Sequence, residues 1–506
     1  MQATTWTKLL RNICGQYLTT FVSIVTGLAL VPFTVRHIGL AQFGLWALVN
    51  GLFGTMGLLD AGLSPTLTKK SAELLARNDQ TTLNETASRI LSLYLLAGCI
   101  GFLLVASLAI LPNNIFHITA DSIHTFRAIM LIVALQLALT FPLSTWSGIT
   151  AGLQDYHFTS GVVIATNITK FAAMIILLKL GLGLITLIWL SFAATCFSGA
   201  AHVIWVRHRL PNLRLRASVS HFAGIGELTR FSGSMFIWSI AGRVVMESDR
   251  IMIGLFLPIS AVGVYEVGLR ICNYSRNVLY PVFAFLPAAS DLNARDDKGR
   301  LRDLYLVGTK YFFLAYASVT ACLFLFGDRF IYLWMGPGYE TSALILLVLM
   351  IGNLYQSQNI VAHVLLPGMG RLRAFTWVMI SYPVLNLTLS VVFIKLWGVV
   401  GVALATTATY FISETFFIYF IAGTFEVTIS RILVSCHLPV LAIVAPGLLS
   451  GYYFNSLAPQ PSWLALIGGL VTVSITSGVA FISYGVSGSE RNRILAAAAK
   501  LIPHTA

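Results

Sequence analysis

The sequence predicts an all-α polytopic membrane protein with about fourteen transmembrane helices. They form two six-helix lobes related by a pseudo-two-fold axis along the membrane normal, followed by a C-terminal helix pair. Three observations predict this: too many apolar residues for a soluble core, basic residues confined to alternate connections, and a sequence that repeats after six spans. Of 506 residues, 57% are hydrophobic and only 10% charged, whereas a soluble protein carries about 25% charged residues. Lipid must therefore solvate much of the surface.

A spanning helix needs about 20 mostly apolar residues, each adding about 1.5 Å across a hydrocarbon core about 30 Å thick. In chain order the candidates are 13–35, 44–65, 89–111, 126–150, 159–179, 184–206, 229–257, 260–289, 305–333, 340–365, 375–395, 398–422, 432–454 and 463–486. The first is too long for a signal-peptide core and has no small-residue cleavage site after it, so it reads as a retained helix. The seventh is long and polar near its end. With the N-terminus placed inside, the inner segments hold Lys8, Arg11, Lys69, Lys70, Arg77, Arg89, Arg207, Arg209, Arg214 and Arg216. They go on to hold Arg295, Lys298, Arg300, Arg302, Arg371, Arg373, Arg431, Arg491, Arg493 and Lys500. The outer segments hold only Arg36, Lys179, Arg329 and Lys395. Twenty against four is a strong positive-inside bias and places both termini in the cytoplasm. The formal charge of +13 is thus topological. No basic domain tracks a phosphate backbone, which excludes a nucleic-acid partner.

The repeat is faint but ordered. Ile38-Gly-Leu followed by Phe43-Gly-Leu-Trp-Ala resembles Ile253-Gly-Leu followed by Val262-Gly-Val-Tyr-Glu. Pro65 and the charged loop Lys69–Glu85 match Pro287 and the charged loop Asp291–Asp303. Gly152-Leu-Gln-Asp-Tyr-His-Phe matches Gly368-Met-Gly-Arg-Leu-Arg-Ala-Phe, and Leu178-Lys-Leu-Gly matches Ile394-Lys-Leu-Trp-Gly. The pairs lie 215 to 222 positions apart, a distance of six spans. An even number of spans gives both copies one orientation, with a site expected at their interface. The expected divisions are residues 1–210, residues 211–430, and residues 431–506 for the final helix pair and a cytoplasmic tail.

An ionised residue facing lipid costs about 2.5–3.5 kcal/mol at a helix centre, so charges within spans should face protein or water. On the seventh span Ser239, Arg243, Glu247 and Arg250 recur at steps of four, four and three, which places them on one helical face. Asp249 lies off that stripe. On the eighth, Glu266, Arg270, Asn273 and Asn277 form a second stripe. The two stripes line a common cavity, or they neutralise each other and lock the helices together, and both functions are compatible. Further candidates are Asp60, Lys170 with Asn167, Glu414, and on the tenth span Asn353, Gln356, Gln358, Asn359 and His363. Asn386 occupies the repeat position of Lys170. Singly, such groups serve more often as interhelical hydrogen bonds.

No GxxxxGK[ST], HExxH or GxSxG pattern occurs, and the six cysteines stand isolated, so no cofactor, metal or catalytic residue is assigned. The first outer loop, Arg36 to Phe43, contains no acid for a catalytic centre. The chain reads as a non-enzyme.

The run Ile38-Gly-Leu-Ala-Gln-Phe-Gly-Leu-Trp-Ala-Leu, then Leu58-Leu-Asp-Ala-Gly-Leu and the charged loop, resembles the Wzx-type polysaccharide flippases. Ala151-Gly-Leu-Gln-Asp-Tyr-His-Phe, and Ser248-Asp-Arg-Ile-Met-Ile-Gly-Leu followed by Val262-Gly-Val-Tyr, carry the same likeness. It covers about residues 10–430. Those flippases belong to the multidrug/oligosaccharidyl-lipid/polysaccharide exporter superfamily. The resemblance implies a bundle in the bacterial inner membrane that turns a polyprenyl-diphosphate-linked oligosaccharide from the cytoplasmic to the periplasmic leaflet. The product would feed O-antigen or exopolysaccharide synthesis. The resemblance also implies ion-coupled alternating access, membrane lipids and other polysaccharide-assembly membrane proteins as partners, and a cationic central cavity. Arg243, Arg250, Arg270, Asn273, Asn277 and Lys170 fit the substrate side of that cavity. Glu247, Glu266 and Asp60 fit ion coupling. The alternative is a cation-coupled multidrug antiporter of the same superfamily. It should favour an acidic cavity, whereas the stripes hold three arginines against two glutamates.

Overall fold

The computed structural model describes residues 2–60, 62–110, 123–218, 243–244, 247–370 and 372–485. Most of the loop expected at Pro112 to Thr125, most of the seventh span including Ser239, and Arg371, Arg491, Arg493 and Lys500 lie outside the described residues. Within them the chain is helical apart from turns and the segment 210–218, with no strand.

α1 (Gln2–Met56) carries the first two expected spans on one helix bent at Gly39, where φ is 82°. The turn expected between the spans shrinks to this one glycine, because no other residue there resists helix and a left-handed φ is open to glycine at little cost. A 3-10 turn, Gly57–Asp60, leads to α2 (Leu63–Ala76). The sequence expected a charged loop here. Instead Leu63, Leu67, Ser71 and Leu74 form one buried face while Lys69 and Lys70 stay exposed beside Glu73. Apolar spacing of four, four and three folds this segment although it is too short to span. Asp79 then caps α3 (Gln80–Leu108), accepting from the Thr82 amide at 3.0 Å. The Thr82 bonds hold the Asp79 carboxyl below the ordinary carboxylate range.

α4 (Ile123–Gly152), α5 (Tyr156–Lys179) and α6 (Leu184–Arg209) complete this part. α7 (247–256) follows, and after Pro258 comes α8 (Ile259–Arg276). The eighth span does not continue as one helix, since a 3-10 turn at Asn277–Ala284 precedes α9 (Phe285–Ala294). α10 (Lys298–Met335) has 38 residues, or about 57 Å. It projects past the hydrocarbon, and its first turns hold the charged residues Lys298 to Asp303. Gly336, at φ 95°, ends it before Pro337. α11 (Glu340–Ser357) and α12 (Ile360–Gly368) are a broken pair bent by 43°. α13 (Leu372–Thr424) holds the eleventh and twelfth spans, kinked at Gly398 with φ 60°. α14 (Ile429–Ile432), a π turn, α15 (Leu438–Leu457) and α16 (Trp463–Ala480) finish the described chain.

Among the described residues nine helices are long and apolar enough to cross a membrane, or ten if the bent pair is one span. Two of the nine contain the kinks at Gly39 and Gly398. Leu103, Ile204, Phe416, Leu449 and Leu464 present 66–84% of their surface to the exterior, which suits lipid rather than water. The chain is a multi-pass membrane protein.

The fold divides into two compact units, Met1–Val267 with Ser390–Val402, and Gly268–Leu389 with Ala403–Ala506. In the first, α4 packs on α2, α3 and α6. A Cβ on Gly98 or Gly152 would meet backbone oxygens of Ala138 and Thr68 at 2.8 and 3.1 Å, so helix backbones approach closely where side chains are absent. In the second, α10 packs on α11, α12, α15 and α16. Arg329 anchors the end of α15 there, donating to Ala458 O at 2.6 Å and Asn455 O at 3.0 Å.

Candidate functional site

In the first unit α1, α4, α5 and α6 enclose a cavity of about 450 Å³. α4 contributes Gln136, Thr140, Ser144 and Ser147, whose spacing of four, four and three is one helical face. α5 adds Thr166, Asn167 and Lys170, and α6 adds Ser191, Thr195, Ser198 and His202. The hydroxyls of Thr140, Ser144 and Thr195 donate to carbonyls four residues back, which turns their lone pairs outward as acceptors. Gln136 donates to Thr195 at 2.9 Å, and Asn167 to Ser23 at 2.9 Å. Among the described residues no Asp or Glu lines the wall. Lys170 is half-buried and has no hydrogen-bond or ion-pair partner among the described residues. The wall thus offers one uncompensated cation and a field of hydroxyl and amide groups. That chemistry suits an anionic, hydroxyl-rich ligand.

The seventh-span stripe lies in the same unit, against a glycine face. Gly51 and Gly54 of α1 and Gly57 of the turn after it, at steps of three, receive the side chains of Arg250, Glu247 and Arg243 respectively. A Cβ on Gly54 would stand 2.7 Å from Glu247 Oε1. Arg250 donates from Nε to Glu266 Oε2 at 2.7 Å and from Nη1 to Glu247 Oε2. Side-chain exposure is 12% for Arg250, 5% for Glu266 and 23% for Glu247, so one guanidinium is shared by two carboxylates largely shielded from water. Arg243 differs: it is exposed and donates to Gly54 O at 3.3 Å. Asp249 is buried and accepts from Tyr265. Asp60, in the turn after α1, accepts from the buried Tyr94 hydroxyl.

Arg270, Asn273 and Asn277 fall in the second unit. Arg270 and Asn277 are half-buried and Asn273 is exposed. The second unit also contains a polar cluster that the stripe arithmetic passes over. Glu414 is fully buried on α13. It accepts from Asn359 Nδ2 at 2.8 Å and from Tyr382 at 3.4 Å, and His363 Nε2 stands 3.1 and 3.3 Å from its two oxygens. Gln356 donates to Tyr382 at 3.3 Å. Arg276 lies within electrostatic reach of Tyr316, Tyr382 and Tyr410. Asn386 donates to Thr406 at 2.9 Å. The sequence flagged Glu414, Asn359 and His363 singly. It missed Arg276, although any arginine inside an apolar span signals such a cluster. Among the described residues no three His, Cys, Asp or Glu side chains are grouped to hold a metal ion.

Residues 9–293, more than half the chain, match the family described as polysaccharide biosynthesis protein. The probable low-salt glycan biosynthesis flippase Agl15 of Haloferax volcanii is 21% identical over 405 residues, 78% of this chain and 79% of that protein. The uncharacterized membrane protein EpsK of Bacillus subtilis is 20% identical over 343 residues, 67% of this chain and 68% of that one. Among solved structures, the lipid II flippase MurJ in an inward closed conformation superposes with a TM-score of 0.70. Its identity is 12%, and the match covers 94% of this chain and 99% of the other. A multidrug resistance MATE family transporter of the MOP superfamily, inward-facing, gives 0.69 at 13% identity over 81% and 94%. These two likenesses concern the fold. The chain belongs to the polysaccharide biosynthesis protein family, and it is built on the fold shared by transporters of the MOP superfamily.

Proposed function

We propose that this chain is a flippase that moves a polyprenyl-diphosphate-linked oligosaccharide from the cytoplasmic to the outer leaflet of a bacterial inner membrane, with both termini cytoplasmic. The observation that carries the reading is Lys170 in its acid-free, hydroxyl-lined cavity, in a chain of the polysaccharide biosynthesis family. A diphosphate needs a cation, sugar hydroxyls need hydrogen-bond partners, and a polyprenyl tail needs neither and stays in lipid. Lys170 and Arg243 of the first unit supply cations for the anionic head, and Arg270, Asn273 and Asn277 are further candidate contacts in the second unit. Arg250 chiefly neutralises Glu247 and Glu266, a role its two bonds support. Ion-coupled alternating access drives the cycle, and other polysaccharide-assembly membrane proteins supply and receive the glycan.

Paired left-handed residues support two related lobes: Asn78 and Asp296, Gln154 and Gly370, Gly181 and Gly398, each 216 to 218 positions apart. The alternative, a cation-coupled multidrug antiporter, draws on buried Glu414, but that carboxylate is already enclosed by donors.

Deleting the chain from its host should strand lipid-linked glycan in the cytoplasmic leaflet and leave drug resistance unchanged. Re-expressed Lys170→Ala should reach the membrane at normal abundance yet fail to restore export, with Lys170→Arg restoring it in part. Normal glycan export in the deletion strain refutes the reading.

A further inference from the structure

The segment that follows α6 is laid along another helix by hydrogen bonds. After a turn closed by the Leu213 amide on Leu210 O, the amides of Arg214, Arg216 and Ser218 donate to side chains of α3. Their acceptors are Asn84 Oδ1, Ser88 Oγ and Ser92 Oγ, at 3.1, 3.1 and 3.2 Å. Amides two apart thus meet acceptors four apart. Two extended residues advance about 6.6 Å and four helical residues about 6 Å, so the spacings match and the chain runs extended beside α3. Successive side chains of an extended chain point to opposite sides. Leu213 and Leu215 are accordingly half-buried, while Arg214 and Arg216 are exposed. Ser88 and Ser92 are buried beneath this strap.

The strap stands at the depth of lipid headgroups. Arg216 is level with Ser88, and the apolar stretch of α3 expected to span starts at residue 89. Tryptophans favour the membrane–water boundary and mark it on two helices nearby. Arg207 lies over Trp146 of α4 at 5.8 Å, and Arg209 over Trp205 of α6 at 5.2 Å. Asp155 is taken by Trp205 at 3.0 Å and by Arg209 at 3.4 Å. Arg214 and Arg216 have no carboxylate partner among the described residues. Glu85, exposed on α3, can cancel at most one of them.

We propose that this strap is a binding site for anionic phospholipid headgroups, with Arg214 and Arg216 holding the phosphate. A guanidinium grips phosphate oxygens through paired, charge-assisted hydrogen bonds. The three bonds to α3 hold the backbone in advance, so little freedom is lost when a headgroup binds. A positive-inside bias alone asks only that these arginines be cytoplasmic. It requires neither the bonds to α3 nor the alternation of leucine and arginine. Depth selects the source of the phosphate, because a lipid already carries its own to this level while a free ion must leave bulk water. Basic segments beside spanning helices attract anionic lipid in the same way. The site needs the chain to lie in a bilayer and does not depend on the flippase reading.

The test uses the full-length protein in phosphatidylcholine vesicles that contain a small fraction of phosphatidylglycerol with a photoreactive diazirine on its headgroup. After illumination, peptide mass mapping should find the label concentrated on residues 207–218. Non-reactive phosphatidylglycerol should compete, and inorganic phosphate should not. Each arginine near an anionic surface contributes about a fivefold factor, so Arg214→Ser with Arg216→Ser should cut labelling of the segment by about fivefold or more. Changing the same pair to lysine keeps the charge and should keep most of the label. Ser88→Ala with Ser92→Ala removes two of the three bonds without altering a charge and should also lower it. Arg295→Ser, at the exposed end of α9, should leave it unchanged. Label spread evenly over all basic loops, label that survives Arg214→Ser with Arg216→Ser, labelling indifferent to Ser88 and Ser92, or full competition by inorganic phosphate each overturns the proposal.

Discussion

One guanidinium between two carboxylates, as at Arg250, is easy to break and hard to replace. Arg250→Ala leaves the buried Glu266 beside the half-buried Glu247 as like charges. The expected loss is about 3–5 kcal/mol, seen as a lower melting temperature of the purified protein. Arg250→Lys should recover only part, because an ammonium lacks the separate nitrogens that reach each carboxylate. Arg250→Ala with Glu266→Gln should melt above the single variant, since one stranded charge is gone. An Arg250→Ala protein that melts with the parent contradicts this account. The stripe of Arg243, Glu247 and Arg250 was legible in the sequence, because helical period and the cost of a lipid-facing charge both act within one segment. Its reception by Gly51, Gly54 and Gly57 was not, since spacing along one helix does not say which distant helix it meets. Arg276 escaped for a related reason. It lies beside the Glu266–Asn277 stripe rather than on it, and tyrosines from other helices surround it.

Between elements, the glycine face of α1 sets how near α7 can come. Gly54→Leu places a side chain where Glu247 Oε1 now lies, 2.7 Å from the Cβ position. Relief requires the helices to part, because Glu247 shares Arg250 with Glu266. Gly54→Leu should therefore sharply reduce the folded protein recovered from membranes. Gly161→Leu on α5, with nothing within 4 Å of its Cβ position, should be recovered normally. Equal recovery of the two would show that the close approach is not needed. Most helices were legible from apolar length alone. α2 was not, because a length threshold set by the bilayer overlooks a short helix. Its signal was the spacing of Leu63, Leu67, Ser71 and Leu74, read with the period of a helix rather than the thickness of a membrane.

For the whole molecule, the distribution of Lys and Arg predicts a topology that reporters can test. Fusions at Asn78, Asn212 and Asp296 should report cytoplasm, and fusions at Asn113 and Pro461 the opposite side. A reporter at Asp296 on the outer side overturns both the orientation and the six-span repeat. That repeat was faint in the sequence for a physical reason. A turn constrains only the residue that must take positive φ, so asparagine, aspartate, glutamine and glycine interchange at Asn78 and Asp296 or at Gln154 and Gly370. The helices between these turns need only remain apolar.

Residues Ser390–Val402 belong to the first compact unit, yet the chain first passes through Gly268–Leu389. A ribosome making about 5–20 residues per second needs roughly 6–24 s for that intervening stretch. Throughout that interval the early helices are in the bilayer without their last strip of partner surface. A chain truncated before residue 390 lacks part of the first compact unit, and in a pulse-chase it should be degraded in the membrane faster than the full-length chain. The order of synthesis, as much as the finished packing, makes the chain's two units depend on a single complete translation.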